Sequence, residues 1–184
     1  KESPITSVKR SEVWGQEAEY LFIGYRLPGS NTDDLKKAKV IAELLSNGSA
    51  GLLDLDLNQQ QLVLESGAFV DEMRDYAVLV LYANPKEGQS LEDCEQLLLK
   101  EMEKIRQGDY ADWLMDAVID NMRLQQTRNF ESNRGRAGAH VQSFILGKDW
   151  QSLVDELDVM DAFSRSQLTD FAVSNLRNNN YVVV

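Results

Sequence analysis

From Ser90 to Leu176 the sequence carries helical periodicity and no strand pattern, yet strand patterns stand on both sides of that stretch. A parallel sheet needs a crossover, usually a helix, between each strand and the next. Helices gathered in one run do not supply that alternation. The order therefore predicts an α+β fold: a two-layer sandwich, with helices on one face of a mainly antiparallel sheet.

The strand patterns are unequal. "EAEYLFIGYRLPG" (17–29) is rich in aromatic and β-favouring residues and closes at Pro28-Gly29. "QLVLESGAFVDEM" and "YAVLVLYANP" are separated by Arg74-Asp75, which predicts an antiparallel pair. The second of these is apolar at almost every position, as suits a strand covered on both faces or set at the centre of a sheet. "YVVV" is the last strand pattern.

"NTDDLKKAKVIAELLSNG" places Leu35, Ala38, Ile41, Ala42 and Leu45 on one helical stripe, with Asn31 or Thr32 to cap it, Asp33 and Asp34 in its first turn, and Gly48 at its stop. "SLEDCEQLLLKEMEKIRQG" is the clearest helix. Ser90 and Asp93 have the spacing of a capping box, Leu91, Cys94, Leu98, Met102 and Ile105 form its stripe, and Gly108 ends it. Residues 109–147 read as one long helix or two. Gly135 and Gly138 there mark either a break or a close approach of another backbone. "DWQSLVDELDVM" is a further short helix, and Ser164 with Gln167 forms a second capping box. "AGLLDLDLNQQQ" (50–61) reads as a short helix or turn. Residues 1–16 are expected to be a flexible N-terminal segment, and 17–184 a single domain. The absence of an initiator Met and an ending inside an apolar run predict a piece of a longer protein.

Nineteen Lys and Arg against thirty Asp and Glu give a net charge of −11. A nucleic-acid binder needs clustered cations to displace counterions from phosphates, and no dense cluster occurs. The same acidity argues against an anionic membrane surface, and no apolar run approaches the roughly 20 residues that span a bilayer.

Chemistry is sparse. A catalytic zinc site commonly takes three protein ligands, His₃ or His₂Glu. The chain has one histidine, His140, and one cysteine, Cys94. Cys94 sits on the stripe of its helix and reads as a core residue, and His140 as a packing or surface residue. Asp54, Asp56 and Asn58 alternate in "DLDLN", but without the Gly and later Glu of a calcium loop. No nucleophile elbow, phosphate loop or dinucleotide fingerprint is present.

Three segments carry a resemblance: "LKKAKVIAELLSNGSAGLLDLDLNQQQLV", "YANPKEGQSLEDCEQLLLKEMEKIRQGDY" and "DELDVMDAFSRSQLTDFAVSNLRNNNYVVV". Their order and spacing resemble a non-catalytic domain of the insulinase/pitrilysin family of zinc metallopeptidases, from about residue 17 to the end. The resemblance implies zinc in a separate catalytic domain, carried on a His-x-x-Glu-His motif that a chain with one histidine cannot hold. It also implies partners: a zinc-bearing domain of the same parent chain or a partner subunit, and peptide substrates in a chamber between the halves.

In that family the opposite half often supplies an Arg and a Tyr seven residues apart. Those positions fall on Leu57 and Leu64, neither of which can donate a hydrogen bond. No catalytic, cofactor-binding or metal residue is therefore carried over. The expected role is a companion domain that packs against the zinc domain and shapes the chamber, with the acidic charge favouring basic peptides. A catalytically inactive scaffold or assembly subunit is the alternative. Bacterial relatives suggest the periplasm or cell envelope.

Overall fold

A computed structural model describes residues 2–16 and 18–184; Lys1 and Glu17, the first residues of the expected flexible segment and of the first expected strand, lie outside the described residues. Five strands form one sheet: β1 Lys9–Arg10, β2 Leu21–Pro28, β3 Glu65–Glu72, β4 Tyr76–Asn84 and β5 Val182–Val183. Their spatial order is β1-β5-β2-β4-β3. β2 runs antiparallel to β4 and β5, and β3 to β4; only β1 and β5 are parallel. The two-layer α+β arrangement expected from the order of patterns is the one found.

The helices are α1 Asp33–Leu45, α2 Leu91–Gln107, α3 Asp112–Glu131, α4 Asn133–Leu146, α5 Trp150–Val154, α6 Glu156–Asp161 and α7 Arg165–Asn175. α1 begins at a Thr32 cap whose hydroxyl accepts from the Leu35 N–H; Asn31 instead takes a positive φ of 67°. α2 has both arms of the Ser90–Asp93 capping box and stops at Gly108 in the left-handed region (φ 66°). The Ser164–Gln167 box opens α7 in the same way.

The body of the protein is the sheet with α1, α2 and α7 on one face. Leu21, Ile23, Tyr25 and Leu27 of β2 and Ala77, Leu79, Leu81 and Ala83 of β4 point into it and are buried. Leu98 and Met102 of α2 and Ile41 and Leu44 of α1 meet them with no exposed surface.

Several features differ from the sequence reading or decide between the alternatives it left. Glu65 opens β3, later than expected, because Gln61 turns at φ 53° and the Leu62 N–H still bonds the Leu57 carbonyl of the preceding turn. Inside the segment expected to be flexible, Lys9–Arg10 form β1, and the Arg10 guanidinium makes a two-pronged pair with Glu95 of α2 at 2.7 and 2.8 Å. Residues 50–61 make a π-helical turn over Asp54–Asn58. Residues 109–147 divide at Ser132, whose hydroxyl caps α4 by accepting from the Gly135 N–H at 2.8 Å. Gly135 is the close approach: a Cβ there would stand 1.9 Å from the Asn129 carbonyl oxygen. Gly138 has open space around it. The helix expected around Leu153 is two short ones, α5 and α6.

Candidate functional site

Side chains alternate across a strand, so the face of β2, β4 and β3 turned away from the helices is fixed by the register. Phe22, Tyr82 and Gly67 make one cross-strand row; Gly24, Val80 and Phe69 the next; Arg26, Val78 and Asp71 the third. No element covers this face among the described residues. Its outward residues on β4 are nevertheless apolar or aromatic and only half-buried: Tyr76, Val78, Val80 and Tyr82.

The aromatics organise the face. Tyr82 lies over Gly67, where a Cβ would meet its ring at 2.6 Å, so the glycine is what lets the ring lie down. Phe22 meets Tyr82 edge-on at 6.3 Å between centroids, Phe69 stands at 6.4 Å on the other side, and Tyr20 packs against Phe22 at 5.2 Å. The Tyr82 hydroxyl donates to Glu65 at 3.2 Å. Partial burial, and next the Glu65 charge, push the Tyr82 phenol up. Phe69 stays 45% exposed and Phe22 37%, an apolar surface of the kind that marks docking sites.

The sequence contained a trace of this face. β4 is apolar on both of its sides, and only one side is covered by helices. It lies inside the sheet, between β2 and β3, as one reading of its pattern had it. The other reading, cover on both faces, is not met among the described residues.

The residues singled out for chemistry do not gather into one site. His140 is exposed on α4, its ring stacked on Trp150 at 3.8 Å. Cys94 is fully buried in α2, where burial, and next Asp93, push its thiol up, away from the nucleophilic thiolate. Asp54 turns inward and accepts from the N–H groups of Asn47 and Gly51 at 2.9 and 3.1 Å and from the Ser46 hydroxyl at 3.2 Å. It is the knot of the loop after α1. Asp56 pairs with Lys104 at 2.7 Å, and Asn58 bonds Ser66 on β3. The two acids and the amide that alternate in "DLDLN" thus go three ways.

Leu57 is buried and Leu64 exposed, and neither offers a donor at the positions where the resemblance looked for Arg and Tyr. Zinc does not fit this donor set. The single histidine and single cysteine sit on different helices, and no three His, Cys, Asp or Glu side chains gather among the described residues. No helix of the described residues is long and apolar enough to cross a membrane.

Comparison with known proteins agrees with this arrangement. Residues 2–122 match the family described as the peptidase M16 inactive domain. The curated zinc protease PqqE of Helicobacter pylori is 22% identical over 163 residues, 88% of this chain; the chain spans about a third (35%) of that relative's length. A solved protease structure from Helicobacter pylori superposes with a TM-score of 0.89 at 19% identity, over 100% of this chain and 45% of that one. The periplasmic protease PqqL of Escherichia coli gives 0.72 at 12% identity, over 98% of this chain and 22% of that one. At those identities the structures establish the fold.

Proposed function

The chain belongs to the peptidase M16 inactive-domain family, and from that premise we propose that it is the non-catalytic companion domain of a chambered zinc metallopeptidase. In this reading it packs against a zinc-bearing domain and forms part of the wall around the peptide substrate. It contributes no catalytic residue and no metal ligand; residues 17–184 are taken as the bulk of the domain, with β1 completing its sheet from the segment before them.

The observation that carries the proposal is the open face of the sheet. An antiparallel sheet whose second face is solvated carries polar residues there. Here Phe22, Phe69, Val78, Val80 and Tyr82 occupy it, the composition of a face meant to be covered. Glu65 and Asp71 on its rim, with the net charge of −11, suit a chamber that favours basic peptides. A bacterial envelope location accords with the periplasmic relative.

The test is made in a full-length protein that contains this chain. Val80→Asp places a charge in the middle of the face without touching the core side of β4. The expected result is loss of cleavage of a quenched fluorescent peptide, with bound zinc retained and the domain still folded. Undiminished cleavage would overturn the reading. A purified full-length protein that binds no zinc, and activates a separate peptidase subunit, would instead support the scaffold alternative.

A further inference from the structure

A feature on the helical side belongs to none of this. Two adjoining hollows of about 570 and 270 Å³ run along α3 and meet at Gln126 and Glu156. The first is walled by α4, the second by α1 and α6. Asn121, Gln125 and Asn129 follow one another at four-residue spacing on α3, with Gln126 beside them, and all four line the hollows. None of these side-chain amides has a hydrogen-bond partner among the described residues, although each holds a donor and an acceptor.

Spacing makes the row selective. Residues four apart on a helix repeat every 6 Å or so (about 1.5 Å per residue) on nearly the same face. An extended peptide presents an N–H and a C=O to the same side every second residue, about 6.6 to 6.8 Å. Over the two steps from Asn121 to Asn129 the mismatch is small enough for flexible amide side chains to absorb. The hollows also have electrical ends. At the α1 end lies Glu43, half-buried, its carboxylate without an ion-pair or hydrogen-bond partner among the described residues. Burial, and next Asp54, hold that carboxyl above the usual carboxylate range. At the α4 end lies Arg134, also without a partner among the described residues.

We infer that this groove binds an extended peptide segment in trans, its backbone paired with the side-chain amides of Asn121, Gln125, Gln126 and Asn129, and a basic residue seated at Glu43. The peptide's other end, a carboxylate or acidic side chain, points to Arg134. The inference does not depend on the sheet face or on zinc. Failure of this site would leave the companion-domain reading untouched.

The probe is an Ala/Ser octapeptide with an N-terminal Lys, a free C-terminal carboxylate and fluorescein on a central Cys, titrated with this chain and read by fluorescence anisotropy. Saturable binding in the micromolar range is expected. Methylating alternate backbone nitrogens of the probe, which removes donors and keeps every side chain, abolishes it. Gln126→Ala with Asn129→Ala lowers affinity about ten-fold, roughly three-fold per hydrogen bond lost. Glu43→Gln weakens the Lys-ended probe about five-fold and leaves an Ala-ended one unchanged. Asn129 is exposed and Gln126 and Glu43 are half-buried, outside the core cluster, and a cooperative thermal melt confirms that each variant is folded. Equal binding of the methylated probe, or no binding by the parent chain up to millimolar concentration, overturns the inference. So does probe binding that vanishes in a full-length protein while Gln126 and Asn129 resist exchange there, because a segment of that protein then fills the groove.

Discussion

The body of the protein and its outer helical lobe are built from different forces. In α2 the buried residues recur at helical spacing, Cys94, Leu98, Met102 and Ile105, and the helix lies across the sheet. In α3 only Leu114, Val118 and Ile119 are buried, all in its first half, and in α4 only Ser143 and Leu146. Leu157 and Met160 of α6 join that buried end of α3 in the core, and charges and caps hold the rest of the lobe. Arg123 of α3 reaches Asp158 and Asp161 of α6 at 2.9 and 2.8 Å. Lys39 and Lys148 interleave with Glu72 and Glu156, four side chains from α1, β3, α6 and the segment after α4, at 2.5 to 3.0 Å. Apolar burial is additive and hard to interrupt, whereas an ion-pair hub fails once a member is missing. The body should therefore unfold as a unit and the lobe open separately.

The largest effect tests the body. Leu98→Ala leaves a cavity under α2 and should cost about 2–5 kcal/mol, read as a lowered denaturation midpoint for the whole chain. A loss confined to the lobe would show that the two regions are not separable as argued.

Next is the hub. Lys148→Ala removes a cation that is 4% exposed and strands Glu72 and Glu156 with Lys39 alone. It should destabilise by about 2–3 kcal/mol, and hydrogen exchange should quicken in α4–α6 before α2.

The hub also sets a pH window. Burial pushes the Glu156 carboxyl up, but Lys39 and Lys148 together outweigh it and leave its pKa lowered. A lowered carboxyl contributes stability that is lost as pH falls through its folded value. Burial lowers the Lys148 pKa, yet Glu72 and Glu156 leave it raised, so its contribution is lost as pH rises through a folded value above that of free lysine. The lobe should be most stable between these limits. Glu43 and Glu101, whose carboxyls burial raises, act with the opposite sign on the acid side. Melting Glu156→Gln beside the parent chain isolates the hub: the acid loss of lobe protection should shrink in the variant.

The smallest effect is a matched pair of glycines in α4. Gly138→Ala meets nothing and should stabilise by about 0.5–1 kcal/mol through helix propensity alone. Gly135→Ala drives a methyl into the Asn129 carbonyl and should destabilise, separating α3 from α4. Equal shifts in thermal melts would mean that the α3–α4 contact is not the tight one described.

Legibility in the sequence followed the same division. α2, with its capping box, its stripe and Gly108, could be read residue by residue, because local signals and burial agree there. The break between α3 and α4 was legible only as one of two readings of Gly135 and Gly138. The boundary belongs to Ser132, and Gly135 serves contact instead. β1 is two residues long and has no periodicity to detect; its place comes from Arg10 meeting Glu95, 85 positions away. The Lys39–Glu156 pair, 117 positions apart, is equally silent in the sequence. The open face was present only as an excess of apolar residues in β4. The amides of α3 read as ordinary surface until the hollows gave them a common direction.

The pairing of β1 with β5 has a mechanical side. The strands are parallel neighbours, with Lys9 beside Val182, joined by the Lys9 N–H to the Tyr181 carbonyl and the Ser11 N–H to the Val183 carbonyl. Tension that enters before β1 and leaves after β5 pulls the two strands in opposite directions along their common axis. Both backbone bonds and the Arg10–Glu95 clamp are then loaded together, in shear, instead of parting one at a time as a zipper would. Two residues make a short splice, but the geometry places it where traction from either side is felt first.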